Sequence, residues 1–251
     1  MIPNPIRRVL SSIRKHRVRA LLMGGQACVL YGAAEFSRDT DLVIFADAGN
    51  LTRLRRALAE LQAEVIAVPP FQIGYLRRGH AVHFRCLRPD LLRMRVDVMA
   101  RLRGVGSFAS LWRRRTTVTL PDGFWLDVMS LPDLVRAKKT QRDKDWPMLR
   151  RLVEAHYFQG RDHPTVIQVR FWLLELRSPE LLIEAASRHR TTCERAVRRR
   201  PLLQYAMRGD PMALESALRE EADREREADR LYWQPLRAEL ERLRRRRVQR
   251  L

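Results

Sequence analysis

Alternating, β-branched segments end near residue 140 of this chain, and beyond that point only helical periodicity remains, over 146–157, 165–176, 179–188 and from 211 to the end. A chain patterned this way is α+β first and all-helical afterwards. The expected architecture is a mixed β-sheet flanked by helices over residues 1–140, followed by a basic, all-helical domain over 141–251. A chain of 251 residues is long enough to bury cores of that kind. It carries no internal repeat.

In the first part, Ile6, Val9, Leu10 and Ile13 recur at helical spacing over 4–16. Residues 19–23 then read as a short buried strand that runs into Gly24-Gly25, and 26–34 as a helix. A strand over 39–46 begins Asp-Thr-Asp and continues Leu-Val-Ile-Phe, the enrichment a strand prefers. The amphipathic helix over 50–61 lines up Leu51, Leu54, Leu58 and Leu61, with Asn50 or Thr52 as N-cap. Residues 71–75 and 81–86 read as a hairpin about Arg77-Arg78-Gly79, with a further strand over 94–99. Two short strands, 116–120 and 124–128, flank the turn Pro121-Asp122-Gly123. Ser130 then caps a helix through residue 139, with Asp133 at its third position.

The chemistry lies in three acids and two glycines. Residues i and i+2 of a strand share a face, so Asp39 and Asp41 project into one space while Thr40 points away. Like charges that close are unfavourable unless a cation joins them. Asp97, between Val96 and Val98, alternates in the right sense to share that face. Hard carboxylate oxygens together with substrate phosphates suit Mg²⁺, and two such ions can activate an attacking hydroxyl and stabilise a leaving pyrophosphate. Gly24-Gly25, at a strand-to-helix junction, lets backbone N–H groups come close to an anion. The His80-x-x-His83-x-x-Cys86 series does not describe a zinc site, because alternation separates the two histidines and no fourth ligand is near.

At this point the chain resembles a family. Met23-Gly-Gly-Gln-Ala27, Tyr31-Gly32 and Ser37-Arg-Asp39-Thr-Asp41-Leu-Val are similar to the signature of the nucleotidyltransferase superfamily of DNA polymerase β-like enzymes, closest to bacterial AbiE-type toxin transferases and minimal nucleotidyltransferases. The segment 131–145, Leu-Pro-Asp-Leu-Val-Arg-Ala-Lys-Lys-Thr-Gln-Arg-Asp-Lys-Asp, is also similar to one in such proteins. The resemblance implies a nucleotidyltransferase-type sheet and a Mg²⁺ site held by Asp39, Asp41 and Asp97, with two ions expected and Mn²⁺ as a substitute. It implies Asp97 as general base and Gly24, Gly25 and Ser37 at the nucleotide. It further implies that Lys138, Arg142 or Lys144 neutralises phosphate charge. Many relatives carry arginine where this chain has Glu35, and threonine where it has Ser37.

Partners follow from charge. The formal net charge is +20, which gives long-range attraction to polyanions, nucleic acid first among them. Almost all the excess is arginine, which a GC-rich coding bias also produces, so the lysines stand out. Of the four, Lys138, Lys139 and Lys144 fall together, as if a compact ammonium were wanted there. Arg198, Arg199 and Arg200 and the run 244–247 favour an RNA 3′ end such as that of tRNA as acceptor, with a small-molecule or protein hydroxyl as the alternative. An antitoxin-like protein partner goes with the family resemblance. A reading from another class stays open, a degenerate fold that binds RNA or a protein without catalysis. No apolar run is long enough to cross a bilayer and no signal-peptide stretch follows Met1, so no membrane partner is expected. Three scattered cysteines argue against a disulfide framework and for a cytoplasmic setting.

Overall fold

The computed structural model describes residues 2–91 and 93–249, with the side chain of Arg247 left aside. The chain divides into two compact units. One comprises the residues through Leu30, those from Ala34 to Ala137, and those from Tyr232 onward. The other comprises Tyr31–Ala33 and Lys138–Leu231.

The first unit is built on one seven-stranded sheet. Its elements are α1 (Asn4–Lys15), β1 (Ala20–Met23), α2 (Gly24–Leu30), β2 (Asp39–Ile44), α3 (Ala48–Glu60), β3 (Ala63–Val65), α4 (Ile73–Arg78), β4 (Val82–Cys86), β5 (Arg95–Met99), α5 (Phe108–Arg114), β6 (Thr116–Thr119), β7 (Trp125–Val128) and α6 (Leu131–Ala137). The spatial order is β3-β4-β5-β2-β1-β7-β6. β2 with β5 and β1 with β7 are parallel, while the other neighbours are antiparallel, so the sheet is mixed as expected.

One face of the central strands is the core. Thr40, Leu42 and Ile44 of β2, Val82, Phe84 and Cys86 of β4, and Val96 and Val98 of β5 are all buried. α1 meets both β2 and α3, and Ser12 Oγ donates to the Ala57 carbonyl across the two helices. Asp47 caps α3 by accepting from the Asn50 N–H. Asn50, expected as a cap, instead accepts from the Arg19 N–H and donates to the Arg19 and Phe45 carbonyls, stitching the ends of β1 and β2. A buried amide needs such partners, and the strand ends offer more of them than a helix terminus does.

The expected hairpin over 71–86 is corrected. Residues 73–78 are helical and end at Gly79, whose φ of +111° is a left-handed cap. β4 therefore pairs with β5 on one side and with β3 on the other. Tyr75 and Ile73 read as strand formers in isolation, but the left-handed glycine closes a helical turn instead.

The regular elements of the second unit are all helices, α7 (Asp145–Gly160), α8 (Val166–Glu175), α9 (Pro179–Arg188), α10 (Arg190–Val197), α11 (Leu203–Arg208) and the start of α12 (Pro211–Val248). Thr165 and Gln168 form a reciprocal capping box at the start of α8. The fully buried Trp172 packs edge-on to Tyr157, and its Nε1 donates to His156 Nδ1. Arg177 and Arg200 both reach Glu221, and Arg177 also stacks on Trp146. Cys28, Cys86 and Cys193 are buried thiols outside any disulfide among the described residues. Among the described residues no helix is long and apolar enough to cross a membrane.

Candidate active site

Four strands lay the acidic residues side by side. In the β1–β2–β5–β4 layer, Met23 is opposite Asp41, Asp41 opposite Asp97, and Asp97 opposite His83. Two residues along, Asp39 is opposite Arg95, which is opposite Arg85. Adjacent strands lie about 4.8 Å apart and alternate residues of one strand about 6.7 Å apart, so the three carboxylates spring from a compact triangle of backbone. Their flanking residues Thr40, Val96 and Val98 are buried on the opposite face, whereas Asp39, Asp41 and Asp97 are half-buried. The register explains why the acids share a face: strict alternation in β2 and β5 needs no bulge over these positions.

Gly24 and Gly25 close this corner. Gly24 has φ of +67°, and a Cβ there would stand 1.9 Å from Asp41 Oδ2. A Cβ on Gly25 would stand 2.7 Å from Ser37 Oγ, whose hydroxyl donates to the Asp39 carbonyl. Glycine is thus required at residue 24 by both backbone and space, and at 25 by space alone. Gly24, Gly25, Ser37, Asp39, Asp41 and Asp97 form one constellation in the first unit.

Asp97 has two partners within the sheet. Its Oδ1 lies 2.8 Å from His83 Nδ1 and 2.8 Å from Arg95 Nε, which donates to it. Arg95 Nη2 is in turn 3.0 Å from His83 Nδ1. Burial would raise the Asp97 carboxyl, but the bonds from His83 and Arg95 outweigh it and hold its pKa below the ordinary aspartate value. The same bond raises the pKa of Arg95 against the cost of its burial, and the charges of Asp97, Asp39 and Asp41 all add to it. The guanidinium therefore feels all three acids.

Sequence reasoning reached the acids but missed His83, which enters only through the β4–β5 register. The alternation in Val82-His83-Phe84 signalled that it faces away from the core. Nothing local signalled that it stands opposite Asp97.

The donor set suits a hard divalent cation: carboxylate oxygens on one face, beside glycine backbone that a Cβ would fill. Among the described residues no three His, Cys, Asp or Glu groups already stand together at ligand spacing. Asp97 is turned to Arg95 and His83 instead, with both contacts on Oδ1 and neither on Oδ2.

Lys138, Arg142 and Lys144 lie in the second unit. Lys138 Nζ donates to Asp145 Oδ1 at 3.0 Å, and Arg142 Nε and Thr140 Oγ1 both donate to Asp145 Oδ2. Asp145 is buried, and against that burial the charges of Lys138 and Arg142 and the Thr140 hydroxyl hold its pKa down. Lys144 is exposed. Lys139 pairs with Glu175. Of the arginine clusters, Arg198, Arg199, Arg244, Arg245 and Arg246 are exposed, whereas Arg200 is only 3% exposed and bonds to Glu221 and the Leu173 carbonyl. Arg200 is a core residue, and the side chain of Arg247 lies outside the described set.

No family model and no curated protein matches the chain. Among solved structures, it is similar to one described as "Crystal structure of putative nucleotidyltransferase from H. pylori", at 14% identity and a TM-score of 0.42, over 88% of this chain and 92% of that one.

Proposed function

We propose that this chain is a Mg²⁺-dependent nucleotidyltransferase that moves a nucleoside monophosphate from an NTP to a hydroxyl, with an RNA 3′ end such as that of tRNA as acceptor. The observation that carries this reading is the register that brings Asp39, Asp41 and Asp97 to one face, with Gly24 pressed against Asp41. Mg²⁺ held by these carboxylates would supply charge stabilisation at the phosphate oxygens. Asp39 and Asp41 serve as its ligands. Asp97 would complete the set and would accept the proton of the attacking hydroxyl. Gly24 and Gly25 offer backbone to the triphosphate, and the Ser37 hydroxyl borders the same corner. Lys138, Arg142 and Lys144 are the proposed phosphate-neutralising cations, the first two held in place by Asp145.

The RNA acceptor rests on the +20 charge and on exposed Arg198, Arg199 and Arg244 to Arg246. A cytoplasmic setting, suggested by the scattered cysteines, and a toxin-type role with an antitoxin-like partner, which goes with the family resemblance, belong to the same proposal. The second reading, a fold that binds RNA or a protein without catalysis, is favoured by one observation: Asp97 is already neutralised by Arg95.

The test incubates the protein with Mg²⁺, each α-labelled NTP in turn and total cellular RNA, with an Asp39→Ala/Asp41→Ala variant alongside. Label entering RNA with the wild type and not with the variant is expected. Full activity in the variant would remove the site assignment. RNA binding that weakens with salt and ignores the variant, without label transfer, would establish the second reading.

A further inference from the structure

Arg95 occupies an unusual place for a cation. It sits on the same face as three carboxylates, donates through Nε to Asp97 Oδ1, and reaches His83 Nδ1 through Nη2. His83 Nδ1 carries a single bonding position, so it either donates to Asp97 or accepts from Arg95, and the two contacts cannot both be hydrogen bonds at once. The Arg95 guanidinium thus holds Asp97 through Nε in either case, and holds His83 through Nη2 as well when Nδ1 accepts.

Resting on the metal-site reading above, we infer that Arg95 is the built-in counter-cation of the acidic face, which competes with a divalent ion for Asp97, and that His83 is the acceptor that holds the guanidinium when Asp97 is engaged elsewhere. With Arg95 on Asp97, part of the negative charge of the acidic face is offset by the protein itself. Were Asp97 engaged by the ion, Arg95 would give up its Nε bond to Oδ1 and keep its Nη2 bond to His83, whose Nδ1 accepts when the ring proton is on Nε2. Arg95 then remains beside the site as a cation able to meet the negative charge of a phosphate. Arg85 stands opposite Arg95 in the register and has no contact with Asp97 among the described bonds, so it does not compete for the same oxygen.

Mn²⁺ binding to the full-length protein, measured by the electron paramagnetic resonance of the free ion without nucleotide, tests this independently of turnover. Arg95→Gln should tighten Mn²⁺ by about tenfold or more, because the charge-assisted bond that competes for Asp97 is lost with the guanidinium. In an Asp97→Ala background the same change should shift affinity by less than about threefold, since the acceptor of that bond is already gone. Arg95→Met keeps the apolar stem and carries the test if Arg95→Gln does not fold. Unchanged or weaker binding in Arg95→Gln overturns the inference. So does an equal effect with and without Asp97, which would mean simple charge repulsion. Loss of Mn²⁺ in Asp41→Asn shows that the metal-site reading stands even where the Arg95 inference fails. Absence of binding in both wild type and Arg95→Gln overturns the two together.

Discussion

Replacing Gly24 by alanine should cost more stability than any other glycine-to-alanine change in the first unit, and it should damage the site at the same time. Two penalties add. A φ of +67° costs an L-residue about 1–2 kcal/mol. The new Cβ would also stand 1.9 Å from Asp41 Oδ2, 2.5 Å from Cγ and 2.7 Å from Cβ. Rotating the Asp41 side chain relieves the first two contacts but not the third, because Cβ is fixed to the β2 backbone. Forced shifts of that kind cost roughly 1–3 kcal/mol. The sum, roughly 2–5 kcal/mol, is a large part of the 5–15 kcal/mol that typically holds a domain. Gly123 is the matched control, with φ of +78° and nothing within 4 Å of a Cβ, so Gly123→Ala carries the backbone term alone. Urea unfolding of both variants, with m unchanged, should separate them by roughly 1–3 kcal/mol. Mg-NTP binding should fall in Gly24→Ala and persist in Gly123→Ala. Equal destabilisation with nucleotide binding intact in both would refute the close approach of Gly24 to Asp41.

Other outcomes follow from the same reasoning. Asp145 is buried with its pKa held below the ordinary aspartate value, so its contribution to stability is present above the unfolded pKa near 4 and is lost as pH falls through the lower folded value. Asp145→Asn should therefore destabilise at neutral pH by roughly 3–5 kcal/mol, through stranding Lys138, and flatten the acid limb of a stability–pH curve. Burial pushes the Cys86 and Cys193 thiols up to about 11, so a thiol reagent at neutral pH should label neither in the native protein and should label both in denaturant. Rapid labelling of native protein would show that those sites open locally.

Much of the fold was legible in local pattern. Helical spacing gave α1, α3 and α9 to within a few residues, and the turn Pro121-Asp122-Gly123 joined β6 to β7 as read. Where pattern failed, a longer-range term decided. The stretch around Tyr75 is strand-like by composition, yet it is helical because Gly79 terminates it in the left-handed conformation. β3 has only three residues and no strong periodicity; it exists through its pairing with β4. Arg200 looks like part of a basic cluster, but it is spent on Glu221, a residue distant in the chain.

The sequence by itself determined the chemistry on offer: acids at alternate strand positions, glycines where a strand turns into a helix, and a chain that is β-rich first and helical afterwards. Those are properties of period and residue type, which act over a few neighbours. Only the tertiary structure decided that Asp97 stands opposite Asp41 rather than one step along, and that His83 and Arg95 share its Oδ1. Register between strands far apart in sequence is set by how their buried faces pack. A one-residue slip would have sent Asp97 into the core and removed the site altogether.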